Sequence, residues 1–255
     1  LQESLLALVQ RPEAPEQVII ETSGVADPKG VVVPLLLSES LSAFIRVDGV
    51  LTVVDAEHIQ ALYDAFTPLI TSQLNVADLI ILNKIDLVSP EEVLALHRWI
   101  RGVAPTARIL ETRYGAAPLE LLLDKHLPTH WADELATQAV LDVHLHHAEE
   151  QTDHPHHLVF HQWSYTSRRP FVLAALQPAV RNLPLTIYRA KGLLFLADQP
   201  ERRAILHVVG RRVQVDLAGA AWGQQPPVTH LVLIGAAGGV DPAALTQLFD
   251  GCLAV

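Results

Sequence analysis

The segment Leu79 to Asp86, LIILNKID, restricts the fold more than any other stretch of the chain. Four apolar residues follow one another without alternation and stop abruptly at polar groups. Such a run is a strand buried on both faces of a parallel sheet, emerging into a loop. Val18 to Gly24, VIIETSG, has the same form. In open α/β sheets ligands sit at the carboxyl ends of the strands, so the two polar clusters are expected to share one cleft.

The surrounding pattern agrees with an α/β class. Leu5, Leu6, Leu8 and Val9 predict a helix over 2–10, ended by Pro12 and Pro15. A strand is predicted at 17–22, and Asp27 with Pro28 is placed to open a helix running to about residue 40. Further strands are predicted at 50–54, 78–82 and 107–110. Helices at 56–63, 67–76 and 90–101 alternate with them, which means a parallel sheet. Residues 1–127 form this first domain. Residues 128–157 are rich in His and acidic residues and read as a linker. Residues 158–255 carry shorter strands at 158–165, 185–196, 204–209, 212–217 and 229–235, with helices at 171–181 and 241–249. They predict a smaller α+β domain built on one mostly antiparallel sheet.

Composition narrows the function. A net charge of −10 weighs against nucleic acid or an anionic membrane as the main partner. Mean hydropathy is +0.27, yet the longest apolar runs, such as 31–37, are far too short to span a bilayer. A single cysteine, Cys252, excludes a disulfide framework and fits a reducing, cytoplasmic setting. The chain opens on Leu1 and has no methionine, as expected of a processed or cut polypeptide.

Three constellations carry chemistry. In Asn83-Lys84-Ile85-Asp86 the Asp carboxylate can accept two hydrogen bonds from the donor edge of guanine, which adenine lacks. The Asn amide suits the opposite edge of the base, and the Lys84 stem can lie along the ring. A β–α turn whose Asn and Asp satisfy backbone donors gives the same four letters. Glu21-Thr22-Ser23-Gly24 ends a buried-type strand. An acid there can hold Mg²⁺ through water, and a glycine lets the backbone approach a terminal phosphate. The bland alternative is a strand-end acid beside a glycine turn. A nucleotide triphosphatase also needs G-x-x-x-x-G-K-[ST] ahead of that acid, and the chain has no Gly-Lys pair. The third constellation is His144, His146, His147, His154, His156 and His157, joined by His161 to make seven of the thirteen histidines. Imidazoles suit Zn²⁺, Co²⁺ or Ni²⁺, with Glu149, Glu150 and Asp153 as further ligands, although a solvated His-rich linker explains them equally well.

With these residues in view, the chain resembles the CobW-type GTPases, the metal-homeostasis and cobalamin-biosynthesis branch of the P-loop GTPases. ETSGVADP at 21–28 is similar to the family's Walker B segment; VVDA at 53–56 and QLNVADLIILNKIDL at 73–87 follow in the family's order. RRPF at 168–171, RAKG at 189–192 and Trp222 extend the resemblance through the C-terminal part. It implies a GTPase sheet, N-terminally truncated here, and a CobW C-terminal domain. It implies a metallochaperone or insertase that hydrolyses GTP with Mg²⁺ and carries Zn²⁺ or Co²⁺ to a metal-dependent client protein. Glu21 would then serve Mg²⁺, Gly24 the γ-phosphate, and Asn83, Lys84 and Asp86 the base. The family's phosphate loop and C-x-C-C metal motif are expected upstream of Leu1, and without its first strand the sheet lacks a central member. The rival expectation is a non-catalytic metal-binding and protein-interaction module worked by the histidines. Either leaves room for a homo-oligomer.

Overall fold

The computed structural model describes residues 1–123, 160–236 and 238–254. Helices α1 (Gln2–Val9), α2 (Lys29–Leu37) and α3 (Glu39–Ser42) precede β1 (Leu51–Asp55). Then come α4 (Ile59–Val76), β2 (Leu79–Asn83), α5 (Pro90–Val103), β3 (Arg108–Glu111) and α6 (Leu119–Leu122). The C-terminal part runs β4 (Phe160–Ser167), α7 (Leu173–Arg181), β5 (Ile187–Phe195), β6 (Arg203–Val209), β7 (Arg212–Asp216), β8 (Thr229–Ala236) and α8 (Pro242–Asp250).

Strands β1, β2 and β3 form a parallel sheet with β2 in the middle, Asp55 opposite Asn83 and Leu82 opposite Glu111. The unbroken apolar run of β2 follows from its place. Ile80 and Leu82 pack under α4 and α5 with Val54, Leu74, Leu96, Ile100 and Ile109, while Leu79 meets Leu110, Leu121 and Tyr188 on the other face. Each such fully buried aliphatic side chain contributes roughly 1.5–3 kcal/mol. The span 59–76 is two helices run together across a kink, in keeping with the two expected from the sequence. It bends at Phe66, whose φ of −131° is non-helical, two residues before Pro68. Proline has no N–H for the i−4 bond and crowds that carbonyl, which accounts for the break. A capping box that the sequence reading passed over starts α5: Ser89 Oγ accepts from the Glu92 N–H and Glu92 Oε2 from the Ser89 N–H at 2.7 Å.

One predicted strand is corrected. Residues 17–22 form no strand, and Val18, Ile19 and Ile20 are exposed, Ile19 by 76%. An apolar run becomes a strand only when a neighbour takes its backbone hydrogen bonds. Among the described residues, the edge of β1 away from β2 has no strand beside it.

The C-terminal strands make an antiparallel sheet in the order β4-β8-β5-β6-β7, with α7 and α8 packed through Leu176, Val180, Leu245 and Phe249. Arg189-Ala190-Lys191-Gly192 lies inside the central strand β5, within the strand expected at 185–196. A side chain at Gly192 would sit 2.0 Å from the His230 carbonyl, so glycine allows β8 to lie close there.

The two sheets are joined by specific polar contacts. Tyr188 packs on Leu79 and Leu110 and donates to the Ile109 carbonyl at 3.2 Å; Arg108 reaches the Ile187 carbonyl. Buried Asp78 accepts from Val50 N–H at 2.9 Å and from Arg212 Nε at 3.0 Å. Burial pushes the Asp78 carboxyl up, and Arg212, the Val50 N–H and Arg211 offset part of that push. Gly210 at the β6–β7 turn has φ +55°, and an added Cβ would lie 1.8 Å from the Asp78 carbonyl. Gly210→Ala is therefore expected to destabilise the chain by about 1–3 kcal/mol, as overpacking does. Thermal unfolding checks it: an unchanged melting temperature would show that the two sheets do not press together at this turn.

Candidate functional site

Three strand ends meet at one rim. Beyond β2, Lys84 takes a left-handed conformation, φ 62° and ψ 33°, and a single 3₁₀ turn carries Ile85–Leu87. That reversal leaves Lys84 and Asp86 exposed beside the carboxyl end of β1. Lys84 Nζ donates to Asp55 Oδ2 at 2.8 Å. Asp55 Oδ1 accepts from the Glu57 N–H at 3.0 Å and the His58 N–H at 3.3 Å, turning the chain toward α4.

Partial burial raises the Asp55 carboxyl, but hydrogen bonds from Lys84, His58 and the Glu57 N–H outweigh it and hold the group below the usual carboxylate range. The hydrogen bond to Asp55, with its charge, raises Lys84 in turn. On the β3 side, the hydrogen bond from His97, at 2.7 Å, lowers Glu111 against the push of burial.

Asn83 ties β2 to the loop after β3. Its Oδ1 accepts from Thr112 Oγ1 at 3.0 Å and from the Gly115 N–H at 2.9 Å. The Thr112 N–H donates to the Leu82 carbonyl at 2.8 Å, and Thr112 itself is fully buried. The loop passes through two residues with positive φ, Tyr114 at 52° and Gly115 at 68°. Asn83 therefore spends its carboxamide oxygen on positioning this loop, and Asp86 stands exposed on the neighbouring turn. A carboxylate and a loop of backbone N–H groups held side by side suit a flat heterocycle with donors on one edge and an acceptor on the other.

Glu21 and Gly24 are not brought to this rim. The Gly24 carbonyl accepts from Gln73 Nε2 at 2.9 Å, and Asp27 accepts from Ser72 Oγ at 2.8 Å. Gln73 also takes the Thr52 hydroxyl on its carbonyl, so loop 21–27 is fastened beside the opening half of β1. Asn83 and Lys84 lie at and just past the closing residue of β2. The expectation that the two clusters share one cleft is corrected accordingly. With no ladder to hold 17–22, the loop settles where the Gln73 amide and Ser72 hydroxyl supply partners. Glu21 is exposed, and the metal-donor cluster found among the described residues does not include it.

His144, His146, His147, His154, His156 and His157 lie outside the described residues. His161 stands in β4 and accepts from the Gly238 N–H at 3.4 Å. Among the described residues a mixed set of metal donors occurs elsewhere, at Asp55, Glu57 and His58, whose ligand atoms lie within 4.8 Å of one another. His58 Nδ1 is 3.2 Å from Asp55 Oδ2 and 3.5 Å from Glu57 Oε2. One imidazole and two carboxylates suit a divalent transition ion. Their clustering after a strand end was legible in Asp-Ala-Glu-His at 55–58 but was passed over beside the denser histidines.

A parallel α/β sheet with its polar rim at the strand ends, followed by an antiparallel α+β unit, is the layout of a nucleotide-binding domain with an appended C-terminal domain. Residues 1–111 match the family described as CobW/HypB/UreG, nucleotide-binding domain, and residues 160–253 match the cobalamin synthesis protein CobW C-terminal domain. The zinc chaperone CobW of Pseudomonas aeruginosa is 30% identical over 269 residues, covering 97% of this chain and 69% of that protein. The chain belongs to the CobW family. The zinc chaperone YjiA of Escherichia coli is 26% identical over 86% of this chain and 66% of its own length. The zinc-regulated GTPase metalloprotein activator 1 of Saccharomyces cerevisiae is 32% identical over 138 residues, 47% of this chain. The chain spans 32% of that relative's length. No helix among the described residues is long and apolar enough to cross a membrane.

The depressed Asp55 and Glu111 carboxyls have a consequence for acid stability. Each binds its proton less readily in the folded than in the unfolded chain, so its stabilisation is complete above about pH 4–5 and is lost as pH falls through the folded value. Asp55→Asn is expected to flatten the fall in melting temperature between pH 5 and 3. The same pH slope as the wild type would show that Asp55 is not held by Lys84 and His58 in solution.

Proposed function

We propose that this chain is the base-reading and C-terminal part of a guanine-nucleotide-dependent metallochaperone or insertase, carrying Zn²⁺ or Co²⁺ to a metal-dependent client protein in the cytoplasm. The carrying observation is the rim at the end of β2, where Asp86 is exposed beside a loop that Asn83 fastens at 3.0 and 2.9 Å. On this reading the Asp86 carboxylate takes the two donors of the guanine edge. The 112–115 backbone meets the acceptor edge, and the Lys84 stem lies along the ring. Charge-assisted hydrogen bonds of this kind contribute about 1.5–3 kcal/mol each, enough for strong preference of one base. GTP supplies the hydrolysable phosphate, and its turnover is coupled to metal delivery. The relatives support the reading by what they are: one is named a zinc-regulated GTPase, two are named zinc chaperones.

A second reading, a metal-binding module indifferent to nucleotide, is favoured by Asp55, Glu57 and His58. The two separate by titrating Zn²⁺ with and without GDP. The first reading expects Zn²⁺ affinity to change, because Asp55 is shared between His58 and the rim residue Lys84. Equal affinities favour the module.

The base assignment has its own test. Asp86→Asn presents the base edge with an amide and should shift preference from guanine to xanthine nucleotides in a competition titration. Retained guanine preference would remove Asp86 from the base site.

A further inference from the structure

Tyr114 is 90% exposed, the most exposed of the large apolar and aromatic side chains on the described surface. It also holds a backbone conformation, φ +52°, that side chains other than glycine adopt reluctantly. A ring left in water and a backbone held off its preference both cost free energy, and neither is repaid by any packing of Tyr114. The conformation is imposed from both sides. Buried Thr112 and the Gly115 N–H are each tied to Asn83 Oδ1, and the Ala116 N–H closes back on the Arg113 carbonyl at 2.9 Å. The loop is thus rigid, while the ring it carries is uncovered. Sub-optimal backbone of this kind persists where the surroundings over-determine it, which is characteristic of ligand clamps.

Its place in the fold says what the ring would clamp. Leu82 pairs across the sheet with Glu111, the last residue of β3, and Thr112 just beyond it bonds to Asn83, so Tyr114 stands two residues past a direct neighbour of the Asn83-to-Asp86 turn. Hydrogen bonds from Asp86 grip the edge of a heterocycle and leave its faces to be covered. A flat ring on a fixed loop supplies such a face, and aromatic stacking discriminates little between bases.

We propose that Tyr114 is a base-stacking residue of the nucleotide site: its ring covers one face of the purine whose edge Asp86 reads. The proposal rests on the guanine reading of Asn83, Lys84 and Asp86. It assigns affinity to Tyr114 and selectivity to Asp86.

Calorimetric titration of the full chain with GDP and with XDP tests the division of labour. Tyr114→Gly relieves the left-handed backbone, so this variant should melt no lower than the wild type while binding both nucleotides about ten-fold more weakly. Tyr114→Phe keeps the ring and should bind both as the wild type does. Wild-type affinity in Tyr114→Gly, alongside a shift toward XDP in Asp86→Asn, overturns the stacking role and leaves the base reading standing. Loss of binding in Tyr114→Phe equal to that in Tyr114→Gly also overturns it, since the hydroxyl and not the ring would then be the contact. If Asp86→Asn keeps its GDP preference, the guanine reading falls and the Tyr114 proposal with it.

Discussion

The carboxamide oxygen of Asn83, accepting at once from Thr112 Oγ1 and the Gly115 N–H, is the contact on which the rim depends. Without it the fully buried Thr112 hydroxyl would lose its partner, a penalty of about 1–3 kcal/mol. The loop after β3 would also lose its register with the turn after β2. The tie holds the loop in which Tyr114 and Gly115 take positive φ and the Ala116 N–H closes on the Arg113 carbonyl. Asn83 can occupy this place only because four preceding apolar residues fix β2 in the middle of the sheet.

The same strand ties the site to the rest of the molecule. Asp78, immediately before β2, binds Val50 N–H and Arg212, and its carbonyl presses on Gly210 of the C-terminal sheet. Leu79 packs against Tyr188. At the other end of the strand, Lys84 pairs with Asp55, which His58 also approaches. One five-residue strand therefore carries the domain contact at its start and the polar rim at its end. A change at either end has a short, stiff route to the other.

Much of this was legible in the residues. The unbroken Leu79–Leu82 run announced a strand covered on both faces, and the shorter strands expected after residue 158 announced the antiparallel sheet. What could not be read was partnership. Val18-Ile19-Ile20 has the composition of a buried strand and lies exposed, because composition does not supply a neighbouring ladder. Arg189 is buried in the central strand and bound to Asp48 at 3.1 Å across 141 residues of sequence, a pairing that no local pattern announces. Asn83 was assigned to the base, and its oxygen has a further role in fastening the loop after β3. That role requires knowing that Thr112 lies opposite, a fact set by sheet register. Tyr114 carried no motif at all; its signal is a backbone angle and an exposed ring.

Amide hydrogen exchange of the full chain with and without saturating GDP addresses the central claim most directly, namely that the strand ends of β2 and β3 form one surface that holds the base. Slowed exchange in both 83–87 and 112–116, appearing together, is the predicted result. Protection in only one of the two segments, or in neither, would contradict a shared base site built around Asn83.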